Sequence, residues 1–278
     1  MERTVRGVSV PALMYGTAWK EDRTRGLVER AIEAGFRAID TANQRKHYFE
    51  AGVGEGVRAA IDRGLVASRD ELFLQTKFTF QPGQDQRLPY DPRAPIGDQV
   101  RQSFESSLEH LGVARLDSLV LHGPMYQRIL ADEDWAAWNA MEGLAREGRV
   151  GLIGVSNVDA SQLEELCAFS KVKPAFCQNR CFARLGWDAR VREVCARHDV
   201  VYQGFSLLTA NGRELHRPEV QAIAERLGRT MPEVVFAFAH ALGILPLTGT
   251  SDPEHMRQDL SAVETVLDEA DLEILARP

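Results

Sequence analysis

Eight short apolar runs, each followed by a segment of helical periodicity, predict an eight-stranded parallel β/α barrel, the TIM-barrel architecture, for this 278-residue chain. Several of the runs are apolar along their whole length instead of alternating, as strands are when both faces are covered. Five of them also end in polar residues that chemistry can use: Asp40, Lys77, His122, the pair Ser156-Asn157, and Gln178. In a closed parallel barrel the strand ends on one face converge on one cavity, and residues placed there read as catalytic.

The elements follow in order. The first strand is read at PALMY (11–15), with an amphipathic helix over 22–34. FRAI (36–39) precedes a helix at 51–63, and ELFLQT (71–76) precedes one at 97–111. DSLVL (117–121) precedes 132–147, where Trp135, Trp138, Met141 and Leu144 recur at helical spacing. GLIGV (151–155) precedes 159–169, and PAFC (174–177) precedes 187–197. VVYQG (200–204) is followed by two helices, 217–228 and 231–242. ILPL (244–247) precedes 252–260, and DEADLEILA (268–276) reads as a terminal helix capped by Asp268. No shift in composition marks a boundary, so 1–278 reads as a single domain.

Two irregular stretches, 78–96 and 205–216, directly follow strand ends and are expected to border the cavity. A loop as long as the first needs a reason inside a compact domain, either as a lid or substrate wall or as a surface loop packed by Phe80, Leu88 and Tyr90.

Hydrophobic residues make up 44% and charged residues 26%, an ordinary composition for a soluble globular protein. A net charge of -7 without any strongly basic stretch argues against a nucleic-acid partner. No apolar run reaches membrane-spanning length and the amino terminus lacks the pattern of a signal peptide, so a cytoplasmic location is expected. Cys167, Cys177, Cys181 and Cys195 lack the paired spacing of a structural zinc site. They are expected to be buried free thiols, and no metal is expected.

No G-x-G-x-x-G follows the first strand, and Gly52, Gly54 and Gly56 lie at the start of a helix well past Asp40. A nucleotide would therefore bind by the route open to barrels, in the loops after the last two strands. LTGTSDPEH (247–255) offers Gly249 for backbone approach, the hydroxyls of Thr250 and Ser251, and Asp252-Pro253 at a helix start; a plain helix cap is the ordinary alternative. Carbonyl reduction by a nicotinamide needs a proton donor for the developing alkoxide, a cation beside that donor, and groups that fix the nicotinamide. Lys77 beside a phenol supplies the cation, held charged by Asp40, and His122 orients the substrate oxygen. Ser156, Asn157 and Gln178 carry the donors and acceptors a carboxamide requires, and Phe205 can stack on its ring. Each of these residues alone has a common structural role, as turn, cap or solvated side chain. Their joint placement at successive strand ends carries the reading.

Across essentially its whole length the chain resembles the aldo-keto reductase family, of bacterial type, with a long loop after the third strand and a short carboxy terminus. The matching stretches are GFRAIDTA (35–42), ELFLQTKF (71–78), LDSLVLHGP (116–124), GRVGLIGVSN (148–157), PAFCQN (174–179) and LPLTGTSDPEHMRQDL (245–260). The resemblance implies a metal-free barrel enzyme that reversibly reduces aldehydes or ketones with NADPH. It implies Asp40, Lys77 and His122 as catalytic residues, Ser156, Asn157 and Gln178 as the nicotinamide seat, and Phe205 as the stacking aromatic. It further implies cofactor contacts from Ser206, Leu207, Gly249, Thr250, Ser251, His255 and Asp259, and a substrate pocket that includes Trp19, with Phe80 and Tyr90 from the long loop.

Two departures from the family pattern stand out. The catalytic tyrosine usually stands five residues after the aspartate, where this chain has Arg45; Tyr48, followed by Glu50 and Val53-Gly54, is the expected proton donor, displaced by a longer loop. The lysine-serine pair and arginine that grip the cofactor's 2'-phosphate in many members give way to Gly249-Thr250 and His255, which makes NADH a second candidate. The expected partner is a small-molecule carbonyl compound, and the expected state a monomer. An isomerase, dehydratase or cyclase built on the same pocket is the alternative, and a non-enzymatic interaction subunit a third.

Overall fold

A computed structural model describes residues 2–277 of the chain. Eight strands form the barrel: β3 (Met14–Gly16), β4 (Ala38–Asp40), β5 (Phe73–Phe78), β6 (Leu116–Leu121), β7 (Val150–Ser156), β8 (Phe176–Arg180), β9 (Val201–Phe205) and β10 (Leu245–Thr248). They close in the order β10-β3-β4-β5-β6-β7-β8-β9, with every neighbouring pair parallel. This is the eightfold architecture the alternating pattern predicts.

The amino-terminal segment differs from the reading. β1 (Glu2–Val5) and β2 (Val8–Pro11) form an antiparallel hairpin, and the first barrel strand starts only at Met14. Pro11 has no N–H to give a ladder, which divides the run read at 11–15. The hairpin turns at Arg6-Gly7, both with positive φ (48° and 84°), the geometry whose twist matches paired strands. Val5 and Val10 pack on Met14, Ala38, Phe73, Phe176 and Leu245, so the hairpin seals the barrel end opposite the strand termini.

Helices α1 (Thr24–Ala34), α2 (Glu50–Asp62), α3 (Ile96–Leu111), α4 (Asp132–Arg146), α5 (Ala160–Phe169) and α6 (Ala189–Arg197) wrap the outside after successive strands. A short turn, α7 (Gly212–Leu215), interrupts the stretch after β9 and precedes α8 (Pro218–Leu227) and α9 (Met231–Ala241). α10 (Pro253–Ser261) and α11 (Glu269–Ala276) complete the chain. The larger apolar core fills the space between this ring and the strands, around Phe36, Phe104, Trp138, Trp187 and Phe238. As expected, Asp268 caps the last helix, accepting from the Asp271 N–H at 2.9 Å. Among the described residues no helix is long and apolar enough to cross a membrane.

The glycine run on α2 has a packing role. A Cβ on Gly54 would stand 2.1 Å from the His110 carbonyl oxygen, and one on Gly56 would stand 2.7 Å from that of Arg25. These glycines let α1, α2 and α3 approach closely, which fixes the start of α2 directly behind the strand-end cavity. Gly54→Ala gains about 1 kcal/mol of helix propensity, yet it must displace backbone, at about 1–3 kcal/mol or more. The expected outcome is a lower urea midpoint at unchanged slope.

Candidate active site

The site is built around an ion pair inside the barrel mouth. Lys77 Nζ donates to Asp40 Oδ2 at 2.6 Å and to the Thr41 carbonyl at 2.8 Å, with both side chains sealed from solvent. Asp40 ends β4, and its neighbour in register on β5 is Gln75, so Lys77 stands two residues further along and folds back over the carboxylate. Burial lowers the Lys77 ammonium from its usual range, and the Asp40 carboxylate opposes that fall.

Tyr48 joins this pair through one helical turn. The Tyr48 and His47 N–H groups both donate to the Gln44 carbonyl, at 3.0 and 3.1 Å. A turn of this kind consumes about 3.6 residues and returns the chain to the same side. It therefore absorbs the extra loop length between Asp40 and the tyrosine. The Tyr48 ring lies with its centroid 5.3 Å from Lys77 Nζ and 5.9 Å from the His122 ring. Arg45 points away, its guanidinium over the Phe49 ring at 5.0 Å. Two anchors hold the turn: Asn43 Nδ2 donates to the Ser103 carbonyl at 3.0 Å, and Gln44 Nε2 to that of Gly83 at 2.7 Å. Glu50, fully buried at the start of α2, accepts from Thr76 and pairs with His110 Nδ1 at 3.0 Å, clamping the segment from the other side. Removal from water, with Asp40 nearby, pushes the Tyr48 phenol well above its ordinary value, so it rests protonated.

His122 follows β6. Desolvation, with the positive Lys77 adding to it, drives its pKa down to about 3, so the imidazole is neutral at physiological pH. Its Nδ1 lies 2.7 Å from Thr79 Oγ1. The threonine hydroxyl has no other acceptor among the described residues, so it donates to Nδ1 and leaves the ring proton on Nε2.

Two cavities meet here. A cleft of about 530 Å³ runs from Tyr48 and His122 across the ends of β7 to β10 and back to β3. A second, of about 360 Å³, lies between Trp19, His47, Phe80, Pro82, Pro124 and Met125. Tyr48, His122, Trp19 and Asn157 line both. Trp19 is two-thirds exposed, at a positive φ of 61°, and stacks on His47 at 4.0 Å.

The polar groups of the large cleft suit an amide. Ser156 Oγ donates to the Gln178 carbonyl at 2.5 Å, and Asn157 Nδ2 to that of His122 at 2.7 Å. Gln178 Nε2 donates inward to Asp40 Oδ1 at 3.0 Å and Gln203 Oε1 at 2.9 Å. Among the described residues neither Gln178 Oε1 nor Asn157 Oδ1 has a hydrogen-bond partner, so two acceptors are open to the N–H groups of a carboxamide. Phe205 forms an adjacent wall, and Ser206, Leu207, Gly249, Thr250, His255 and Asp259 line the rest of the cleft. Burial raises the Asp259 carboxyl to about 6, while the Thr248 hydroxyl holds it at 2.6 Å.

Three expectations fall elsewhere. Tyr90 lines neither cavity: its ring packs beside Phe78 at 5.6 Å and its hydroxyl donates to the Thr79 carbonyl at 2.8 Å, so it pins the long loop to the core. Ser251 is exposed and lies outside the cleft lining. The start of α10, expected to offer N–H groups to a phosphate, is capped by Asp252, which accepts from Glu254 N at 2.7 Å and His255 N at 3.3 Å. The cationic side chains that line the cleft are Lys20, which donates to the Gly249 carbonyl, and Arg180 at the end of β8. Sequence reasoning missed both: Lys20 directly follows Trp19 and Arg180 lies two residues past Gln178, and only that spacing could have pointed to them. Thr79 and Gln203 carry no sequence signal of their own. The four cysteines are free and buried.

A closed parallel barrel whose mouth holds a lysine–carboxylate pair, a phenol and a neutral imidazole has the build of a barrel enzyme. The Aldo/keto reductase family model matches residues 13–277, so the chain belongs to that family and is an aldo-keto reductase-type oxidoreductase. It is 28% identical to YtbE, an uncharacterized oxidoreductase of Bacillus subtilis (strain 168), over 96% of this chain and 88% of that protein. It is 30% identical to deoxymugineic acid synthase 1-D of Triticum aestivum over 93% of this chain and 84% of that one. An aldo/keto reductase structure from Brucella melitensis superposes with a TM-score of 0.84 at 26% identity, covering 99% of this chain and 98% of that one.

The low His122 pKa has a stability consequence. Its folded value, about 3, lies below the unfolded 6.5, so the unfolded chain binds more protons between these limits. This contribution to stability is complete above 6.5 and is lost as pH falls toward 3. In His122→Asn the unfolding free energy relative to wild type is expected to improve steadily down that window. Urea titrations at several pH values read it, and a constant difference would show the imidazole to be solvated.

Proposed function

We propose that the chain reduces an aldehyde or ketone to the alcohol, with NADPH as cofactor and NADH as an acceptable substitute, and with Tyr48 as the proton donor. The observation that carries the reading is the position of the Tyr48 ring, between Lys77 and His122 and at the junction of the two cavities. A related aldo-keto reductase structure is described as complexed with NADPH, and another as in complex with NADP. In this chain Gln178 Oε1, Asn157 Oδ1 and Ser156 would hold the amide, Phe205 would back the ring, and Lys20 and Arg180 would face the phosphates.

When bound there, a reduced nicotinamide would supply the hydride for the carbonyl carbon. Tyr48 gives its phenolic proton to the carbonyl oxygen. The Lys77 ammonium, kept charged by Asp40, stabilises the phenolate left behind, and His122 Nε2–H donates to the same oxygen and fixes its approach. Trp19 and Phe80 wall the substrate cavity. The reading places the enzyme in the cytoplasm as a monomer, which suits four free thiols.

Fluorescence titration of the purified protein with NADPH and NADH, followed by an aldehyde and ketone panel, tests this. Tyr48→Phe is expected to lower kcat by at least about a hundredfold while cofactor affinity stays within about twofold. Arg45→Phe should keep most of the turnover. Failure to bind either cofactor, or full turnover in Tyr48→Phe, would end the proposal.

A further inference from the structure

We propose that Gln75 and Gln203 are positioning residues that hold the Asp40 carboxylate in place for Lys77. The inference rests on the functional reading above and extends it one layer into the barrel.

The register sets Asp40 beside Gln75, Gln75 beside Ser118, and Gln178 beside Gln203, so these residues share one level of the interior. Gln75, Gln203 and Ser118 are completely buried. Gln75 and Gln203 form a reciprocal amide pair: Gln75 Nε2 donates to Gln203 Oε1 at 2.8 Å, and Gln203 Nε2 to Gln75 Oε1 at 3.1 Å. Ser118 Oγ also donates to Gln75 Oε1, at 2.8 Å, which fixes the amide's orientation. The second proton of Gln75 Nε2 then goes to Asp40 Oδ1, at 2.7 Å. Gln203 Oε1 accepts from Gln178 as well, and so aims the other donor to Asp40 Oδ1.

Packing alone does not ask for these residues. Barrel interiors are filled well by branched apolar side chains, and the level beneath is apolar, with Ala38, Phe73 and Phe176. Three buried amides carry a desolvation cost that apolar residues of similar volume would avoid. What the amides do that apolar groups cannot is donate twice to one carboxylate oxygen. With Oδ1 held from below, Oδ2 is left for Lys77, and the carboxylate cannot rotate away from it.

The test uses the full-length protein with Gln75→Met and Gln203→Met, singly and together, because methionine keeps the linear shape and removes every donor. Folding is checked by far-UV circular dichroism and thermal melting, and cofactor affinity by NADPH fluorescence titration. The charged and titratable groups facing Lys77 are Asp40, Glu50, Tyr48 and His122. A loosened Asp40 supports the ammonium less, so the alkaline limb of the kcat–pH profile should move to lower pH by about one unit. kcat should fall by at least about tenfold, and the isotope effect with NADPH deuterated at the transferred position should rise, while NADPH affinity stays within about threefold.

Ser118→Ala, a smaller lesion in the same lattice, should move the limb the same way by less, and it serves if the double variant does not fold. Folded variants with an unmoved alkaline limb overturn the proposal, whether or not NADPH affinity has dropped. Tyr48→Phe assayed in parallel separates the two claims. If it keeps turnover, the functional reading fails; if it loses turnover and the glutamine variants do not respond, only the positioning role fails.

Discussion

The buried pair between Lys77 and Asp40 is the constraint around which the catalytic face is arranged. Two charges sealed inside a barrel lose their water, and their mutual attraction offsets that loss only with good geometry and with the remaining lone pairs and protons satisfied. The chain meets the first condition and most of the second. Lys77 has a carboxylate and a backbone carbonyl, and Asp40 has the ammonium on one oxygen and two amides on the other. Leaving either charge alone in such a place costs about 3–5 kcal/mol, so the polar level of the barrel is tied to the pair's existence.

That polar level also joins parts of the site that are far apart in sequence. Gln178 touches Asp40 with its nitrogen and also lines the large cleft, so the cleft wall and the ion pair share one side chain. Tyr48 and His122 stand above the pair, and both have pKa values driven toward the neutral form by the same loss of solvent. The result is one charged centre flanked by two neutral proton-bearing groups, an arrangement suited to handling a single oxygen atom that becomes negative.

The end of the cleft beside α10 follows a different logic. Asp252 satisfies the first N–H groups of α10 and puts negative charge where an anion would otherwise sit. Cationic groups reach the cleft from other walls: Lys20 comes from the loop after β3 and Arg180 from the end of β8. Asp259, buried at this end of the cleft, has its carboxyl pushed up to about 6 by loss of solvent.

Periodicity alone carried the eight strands, the helices and the strand-end placement of Asp40, Lys77, His122, Asn157 and Gln178, because alternating strand and helix patterns are local properties of the chain. It did not carry the hairpin at Glu2–Pro11, whose partner surface is the barrel floor, nor the burial of Tyr90, which depends on where Phe78 and Thr79 present themselves. Tyr48 is the sharpest case. Its identity as the phenol nearest Asp40 is written in the sequence, but its distance along the chain placed it three residues too far. Only folding puts Gln44 to Tyr48 into one helical turn, which uses up that excess and brings the ring over Lys77. The interior glutamines are the opposite case: on their strands Gln75 and Gln203 look like polar interruptions. Closure of the sheet gives them meaning, since only in a barrel do β4, β5, β8 and β9 turn the same level of side chains onto one carboxylate.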